Sequence, residues 1–476
     1  MFTFKRPSRL LADGGRRRIA LSALVCFSLV AAACGSSSKA APSTTAPSTT
    51  APAAPATTVG STTAATQAPA TTAGSGTTPS SAADTAVPAS SAPVATDAPT
   101  TSAAGPASGD PVTIGFVNME NGPLAQPAIG DSARGAVSYI NKYLGGVGGH
   151  PIAFDQCLTD GSPEASTKCG NQFVADKVPL VFIGLDFGDP ALLPILQKAN
   201  IPVLGQEPIT PADYQTGQWF AGSQVAYALG AGVFVRDTLK SKKVVILNYN
   251  TASAQSNRDT FMIPALKAAG ATVATVDIDP AQPDFSVFVA AALADNPDLL
   301  YGFLQETDCT KMITISRQLG YKGNIMAGNC GTFVQTDAAA SEGVYALGDL
   351  YSPDDLSKAN TKAKADIALY LAAMKEFAPT QSLSVFTQFV FAGMMNLWGV
   401  MNEVGPTGLT GAAVQAKMAA SSDQPSFMAD TYSCAAKVAP DYPALCGASV
   451  LVFQAKAGKL VQASDWIFGP DIYKPS

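Results

Sequence analysis

Five carboxylates, Glu120, Asp186, Asp189, Glu207 and Glu306, stand just beyond the ends of predicted strands, where two acids held close together would work as a general acid and base. In a chain this acidic, each is more often a solvated charge. Little else in the sequence supports catalysis. The chain has one histidine, His150, in a glycine-rich turn, so no second candidate exists for a Ser-His or Cys-His dyad. Neither a G-x-S-x-G nor an H-E-x-x-H pattern occurs. The run Gly145-Gly146-Val147-Gly148-Gly149 follows a helix and precedes a strand, whereas a phosphate cradle needs a strand, a loop and then a helix N-terminus. Without a C-x-x-C pair, no metal site is expected. Six cysteines remain beyond Cys26 and Cys34, and their grouping favours the disulfides Cys157–Cys169, Cys309–Cys330 and Cys434–Cys446, as suits an exported protein.

The elements that position those acids alternate regularly. Residues 112–118 form a short apolar, β-branched run that ends near the turn signal Asn121-Gly122-Pro123, the pattern of a buried strand followed by a loop. Ala133, Ala136, Val137, Ile140 and Leu144 then recur at helical spacing, and Gly145-Gly146 stops the helix. A strand over 151–156, a helix from Pro163 capped by Ser162, a strand over 180–184, a helix over 191–199 and a strand over 201–204 repeat the pattern. It returns as strands over 244–248, 272–278, 299–303 and 324–327, with helices over 259–269, 285–294 and 310–319. Such alternation predicts parallel sheets covered by helices on both faces. Ligands of these sheets lie beyond the carboxyl ends of the strands, so the loops after Asn118, Gly184 and Leu204 are the predicted site in the first half. Residues 385–400 are the most apolar later run, and their Gln388 and Asn396 predict a core helix rather than a membrane span.

The order strand, Asn121-Gly122-Pro123, Arg134-Gly135-Ala136, Ile140-Asn141, Gly145-Gly146-Val147-Gly148-Gly149, strand resembles the start of the leucine/isoleucine/valine-binding proteins, the type I periplasmic solute-binding family of branched-chain amino-acid ABC transporters. The resemblance extends over residues 110–476. It implies an α/β fold of two doubly wound parallel-sheet lobes joined by a multi-strand hinge. Lobe 1 would span about 110–222 and 348–448, and lobe 2 about 223–347 and 449–476. It further implies a protein that is not an enzyme, needs no cofactor, closes its lobes on a small solute and hands it to ABC permease subunits. The alternative is a ligand-sensing or envelope-interaction lipoprotein of the same fold. Ligand contacts are expected from Asn118, Glu120, Asp186, Phe187, Gly188, Asp189, Gln206 and Glu207 in lobe 1, and from Tyr249, Asn250, Gln305, Glu306 and Asn329 in lobe 2, with Asp349 and Tyr351 near a crossover.

The ligand chemistry departs from the family. Its hydroxyl-rich loop after the third strand is here Gly184-Leu185-Asp186-Phe187-Gly188-Asp189-Pro190, with two acids and no hydroxyl. The family's threonine after the fourth strand falls near Gln206-Glu207-Pro208, its first-loop aromatic near Pro127, and its glutamate for the ammonium group near Asn329. An anionic group in this loop would meet like charge. Free leucine is therefore expected to bind weakly, and a neutral or cationic solute rich in hydrogen-bonding groups to bind better, stacked on Phe187 or Tyr249.

Residues 1–33 carry a basic start, Lys5, Arg6, Arg9 and Arg16 to Arg18, and an apolar run too short to span a bilayer, which is a secretory signal. It ends Ala31-Ala32-Ala33-Cys34-Gly35, resembling a lipobox whose Cys34 is acylated. Residues 34–109 are nearly all Ser, Thr, Ala, Pro and Gly, which cannot bury enough apolar surface to order themselves. They are expected to form a tether with a reach of at least about 50 Å. The whole chain carries −6 and the leader +5, from six basic residues and Asp13, leaving the remainder near −11. With no basic cluster, nucleic acid is a poor partner. The expected location is the extracytoplasmic face of the cell membrane, with membrane contact through a lipid anchor only. If Cys34 is acylated, the protein will partition into detergent and Cys34→Ala will move it to the aqueous phase. Equal partitioning of both forms would remove the anchor.

Overall fold

The computed structural model describes residues 105–474 except 283, 382, 384, 437 and 440. The signal, Cys34 and nearly all of the tether lie outside the described residues. The first sheet is parallel throughout, in the order β2-β1-β3-β4-β5. Its strands are β1 (Val112–Met119), β2 (Ile152–Thr159), β3 (Val181–Ile183), β4 (Val203–Gly205) and the two-residue β5 (Gln218–Trp219), which the sequence did not signal. Between them run α1 (Pro127–Tyr143), α2 (Pro163–Asp176) and α3 (Asp189–Lys198). Alternate residues of β1 face opposite layers, as a pleated strand requires. Ile114 and Phe116 pack under α1, while Val117 joins Phe173 of α2 and Leu192 of α3. Helix α1 starts at Pro127, before the apolar spacing begins, because proline suits the first helical turn. Ser162 caps α2 by accepting from the Ala165 N–H at 3.2 Å.

The second sheet has a parallel core, β7-β6-β8-β9-β10. Helix α4 (Ser223–Phe234) leads into β6 (Lys243–Tyr249), followed by α5 (Ala252–Asn257), α6 (Ile263–Ala268), β7 (Thr272–Ile278), α7 (Ser286–Ala294) and β8 (Leu299–Gly302). Then come α8 (Glu306–Gln318), β9 (Asn324–Met326), the short α9 (Phe333–Thr336) and α10 (Ala338–Ser341), and β10 (Tyr345–Gly348). The helix read over 259–269 begins instead as a π turn at Arg258–Met262. After β10 the chain builds α11 (Thr361–Phe377), α12 (Val385–Val404) and α13 (Gly411–Ala419), of which α11 and α12 pack on α1 of the first sheet. A ribbon of β11 (Gln424–Pro425) and β12 (Thr431–Tyr432) follows. Strand β13 (Ser449–Lys456) then returns to the second sheet, antiparallel to β10, with β14 (Lys459–Gln462) and β15 (Ile467–Phe468) antiparallel to it. The second lobe therefore carries an antiparallel edge that strand-helix alternation does not encode.

The chain passes between the sheets at three places, after β5, after β10 and before β13. One apolar cluster runs beneath them, from Val117, Val181 and Trp219 of the first sheet to Ile246, Tyr301 and Val450 of the second. Within it, Tyr214, Phe261 and Tyr442 stack edge to face, with ring centres 5.3–5.7 Å apart. Gly205 makes room for the Trp219 ring, since a Cβ there would lie 2.3 Å from it. In α12 the two polar residues are indeed in the core. Gln388 Nε2 donates to the Tyr351 carbonyl at 2.7 Å, and Asn396 Nδ2 donates to Gln206 Oε1 at 3.2 Å and to Ser426 Oγ at 2.9 Å. Among the described residues no helix is long and apolar enough to cross a membrane.

The three disulfides are Cys157–Cys169, Cys309–Cys330 and Cys434–Cys446, the pairing that the spacing favours. Cys309 lies on α8 just after β8 and Cys330 just after β9, so this bond braces two loops at the carboxyl edge of the second sheet. Replacing both by serine is expected to lower stability by roughly 3 kcal/mol in the chain-entropy view. The readout is the denaturation midpoint, together with peptide mapping without reductant. Cys309 linked to anything but Cys330 would contradict the strand order of the second sheet.

Candidate functional site

The segments beyond the carboxyl ends of the first sheet are occupied by acids, most of them turned inward. Asp186 is fully buried in lobe 1, accepting from Thr159 Oγ1 at 2.7 Å, Ser166 Oγ at 2.6 Å and the Gly188 N–H at 3.3 Å. Burial raises its pKa, and the two hydroxyls partly offset this. Asp189 opens α3 and accepts from Thr210 Oγ1 at 2.8 Å. Asp213 accepts from the N–H groups of Ile209 at 2.9 Å and Thr210 at 2.8 Å. The second oxygen of each, Asp189 Oδ2 and Asp213 Oδ1, is buried with no donor; the two carboxyls adjoin each other, and one proton held between them would satisfy both.

In the loop after β3, Asp186 and Asp189 are both buried, and the side chain presented to solvent is Phe187, 46% exposed. Gly188 is also buried, and a Cβ there would meet Ser166 Oγ at 2.2 Å. The third position at this edge, Asn118, is buried and donates to the Gln126 carbonyl at 3.0 Å and to Glu120 Oε1 at 3.2 Å. Glu120 in turn takes Arg134 Nη1 at 3.0 Å, and Arg134 also binds Asp131 at 2.7 Å. Glu120 thus enters as one half of an ion pair rather than as a free acid.

The residues expected from lobe 2 sit at the carboxyl edge of the second sheet. Tyr249 is half-buried; its hydroxyl donates to Asp308 Oδ2 at 2.7 Å and accepts from the Gln305 N–H at 3.1 Å. Asn250 and the Gln305 side chain are exposed, Asn250 accepting from Gln255 Nε2 at 2.9 Å. Asn329 is half-buried next to Cys330. Glu306 does not stand free. It accepts from the N–H groups of Gly331 and Thr332 and from Thr332 Oγ1 at 2.8 Å, closing the loop after β9. Among the described residues no hydrogen bond or ion pair joins the 120–126 and 185–190 loops to the 249–255, 305–308 and 329–332 loops.

The two edges meet at the hinge. Glu207, just past β4, and Asp349, just past β10, both reach the hydroxyl of Tyr227 on α4, at 3.0 and 3.1 Å. Burial and then the neighbouring Asp349 raise the pKa of Glu207 well above the usual carboxylate range, and burial raises that of Asp349. Gln206 is tied to Asn396, and Tyr351 accepts from Trp466 Nε1 at 3.0 Å. A small cavity with room for about one water lies here, lined by Gln206, Phe220, Asp349, Asp430 and Trp466 among others. Sequence reasoning missed Tyr227, Asp213 and Trp466. Tyr227 did carry a signal, as the one hydroxyl in the apolar run from Val225 to Phe234. Among the described residues no group of three or more His, Cys, Asp and Glu side chains is placed to hold a metal ion.

Residues 111–440 match the sequence profile of the family described as periplasmic binding protein. The fold is similar to that of the leucine-binding protein LivK of Thermotoga maritima, with 17% identity, a TM-score of 0.59, and 75% of this chain and 98% of that one covered. It is also similar to the branched-chain amino-acid substrate-binding protein LivJ of Streptococcus pneumoniae in complex with isoleucine, at 17% identity and a TM-score of 0.59, covering 75% of this chain and 99% of that one. A solute-binding protein of a Rhodopseudomonas palustris ABC transporter in complex with 4-hydroxybenzoate matches at 16% identity and a TM-score of 0.58, covering 75% of this chain and 97% of that one. At these identities the likeness speaks for the fold. No curated protein matches the chain.

The Asp189–Asp213 pair has a pH signature. Burial and the adjacent Asp213 charge push Asp189 up to about 10, while burial, countered by the backbone donors, pushes Asp213 up to about 6. Both folded values lie above the unfolded carboxylate value of about 3.9. Their contribution to stability is therefore complete below that pH and is lost as the pH rises through 6 and toward 10. Asp189→Asn, which supplies a hydrogen without a charge, is expected to flatten the decline and raise the melting temperature at pH 8. Asp189→Ala, which strands Asp213, is expected to cost about 1–3 kcal/mol. A wild-type melting temperature that climbs with pH would refute the shared proton.

Proposed function

The chain belongs to the periplasmic binding protein family, and on that footing we propose that it captures a small polar solute of amino-acid or amide type between its lobes and delivers it to an ABC importer. The observation that supports this most is the convergence of the carboxyl ends of both sheets on one hinge, through Glu207, Asp349 and Tyr227. Parallel sheets bind at those ends, so lobes hinged there place two binding edges around one ligand. Closing the lobes removes water and strengthens each polar contact. The surfaces offered to the solute are Phe187 from the first lobe and Tyr249, Asn250, Gln305 and Asn329 from the second. The phenol and amides supply donors and acceptors, and the Phe187 ring supplies a flat apolar face. Acylation of Cys34 and the tether after it would keep the lobes at the outer face of the membrane, next to a permease.

The test is calorimetric. Protein freed of solute by unfolding and refolding is titrated with leucine, isoleucine, valine, small aliphatic amides and 4-hydroxybenzoate. Micromolar binding of at least one polar member is expected, and Tyr249→Ala and Phe187→Ala are each expected to weaken it about tenfold, near 1.4 kcal/mol. A panel with no heat and no thermal shift, extended to all amino acids, would overturn the solute class. Binding left unchanged by both substitutions would overturn the assigned surfaces.

A further inference from the structure

The hydroxyl of Tyr227 has two acceptors and one hydrogen. It lies 3.0 Å from Glu207 Oε1 and 3.1 Å from Asp349 Oδ1. Both contacts are hydrogen bonds only if one carboxyl brings a proton of its own. With both ionised, one carboxylate oxygen would face the phenol lone pairs, and two negative charges would share a site that is nearly closed to water. Glu207 is 4% exposed and Asp349 3% exposed, and Asp349 Oδ2 has no partner. The groups facing the pair are Tyr227 and Ser223 from α4, Tyr214 from the segment leading to β5, Gln206 beside Glu207, and Asp430 across the hinge cavity. None of these is a cation, so nothing among them neutralises a second charge.

The three side chains belong to three different segments. Glu207 lies on the stretch from β4 to β5 in the first lobe, Tyr227 on the helix entered by one crossover, and Asp349 on the start of another. We propose that Glu207 and Asp349 share a single proton through Tyr227, that this proton ties the crossovers together, and that its loss drives the segment after β4 away from the end of β10, making the arrangement of the lobes sensitive to pH. The proton leaves to solvent by way of the hinge cavity that Asp349 lines. Because the folded pair holds its proton more tightly than free carboxyls do, the closed tie persists at low pH and is lost as the pH rises above the ordinary carboxylate range.

The chain has three tryptophans, Trp219, Trp398 and Trp466, and Trp466 lines the same cavity as Asp349. Full-length exported protein labelled with 5-fluorotryptophan is followed by fluorine NMR from about pH 5 to about pH 9, with the Trp466 resonance assigned through Trp466→Phe. Small-angle scattering at each pH reports the spacing of the lobes. The Trp466 shift and the radius of gyration are expected to change together, with one midpoint above the ordinary carboxylate range. Glu207→Gln, which retains a hydrogen for Tyr227 and cannot ionise, is expected to keep the low-pH values throughout, and Asp349→Asn to do the same. A flat wild type, a Trp466 transition without a change in radius, or an unchanged midpoint in both variants would overturn the proposal. So would failure of both variants to fold at pH 8, because each removes only a charge that the shared proton already makes unfavourable.

Discussion

Keeping carboxyl groups away from water is the constraint on which the hinge and the first lobe depend. Asp186, Asp189, Glu207, Asp213 and Asp349 are each at most 4% exposed. A lone carboxylate in such surroundings costs several kcal/mol, so each must find donors, a partner charge or a proton. Asp186 takes donors, with three of them on two oxygens. Asp189 and Asp213 pair with each other, and so do Glu207 and Asp349 by way of Tyr227. Among the described residues none of the five uses Arg or Lys, and the arginine at this edge, Arg134, serves Glu120 and Asp131 instead. Positioned acids without cations make the local structure depend on protons.

That arrangement is held by a core that does not stop at the lobe boundary. The cluster containing Trp219, Tyr227 and Ile246 runs under all three crossovers, and every residue of α4 except Gln224 is buried. Each large apolar side chain placed there contributes roughly 1.5–3 kcal/mol. The hinge is therefore packed on its inner side and polar on its outer side. A motion that keeps the inner packing must pivot close to the crossovers, and the polar side chains above them are what such a pivot rearranges. The rims are different in kind. Phe187, Asn250 and Gln305 are exposed on segments that their neighbours hold in place.

Much of the architecture was legible because its signals are local. Apolar runs bounded by turn residues located the parallel strands, Ser162 marked the start of a helix, and Gln388 and Asn396 marked α12 as a core helix. Cysteine spacing indicated all three disulfides, since short loops close most readily. Strand β5, two residues long, and the antiparallel return of β13 were invisible, because neither has a periodicity of its own and both are defined by the neighbours they pair with.

The sequence alone carried the alternation of strand and helix and the residue types at the carboxyl edge of each sheet. It did not determine which way their side chains turn. Asp186 and Phe187 are adjacent in the chain, yet one is sealed inside the lobe and the other stands in solvent. That choice rests on Thr159 and Ser166, distant in sequence and supplied by β2 and α2. Glu207 and Asp349 lie far apart in the chain and become a proton-sharing pair only where two sheets and a helix meet. The acidity of a side chain is a property of its residue type; whether it faces a ligand, a neighbour or a proton depends on what surrounds it, and only the tertiary structure assembles those surroundings.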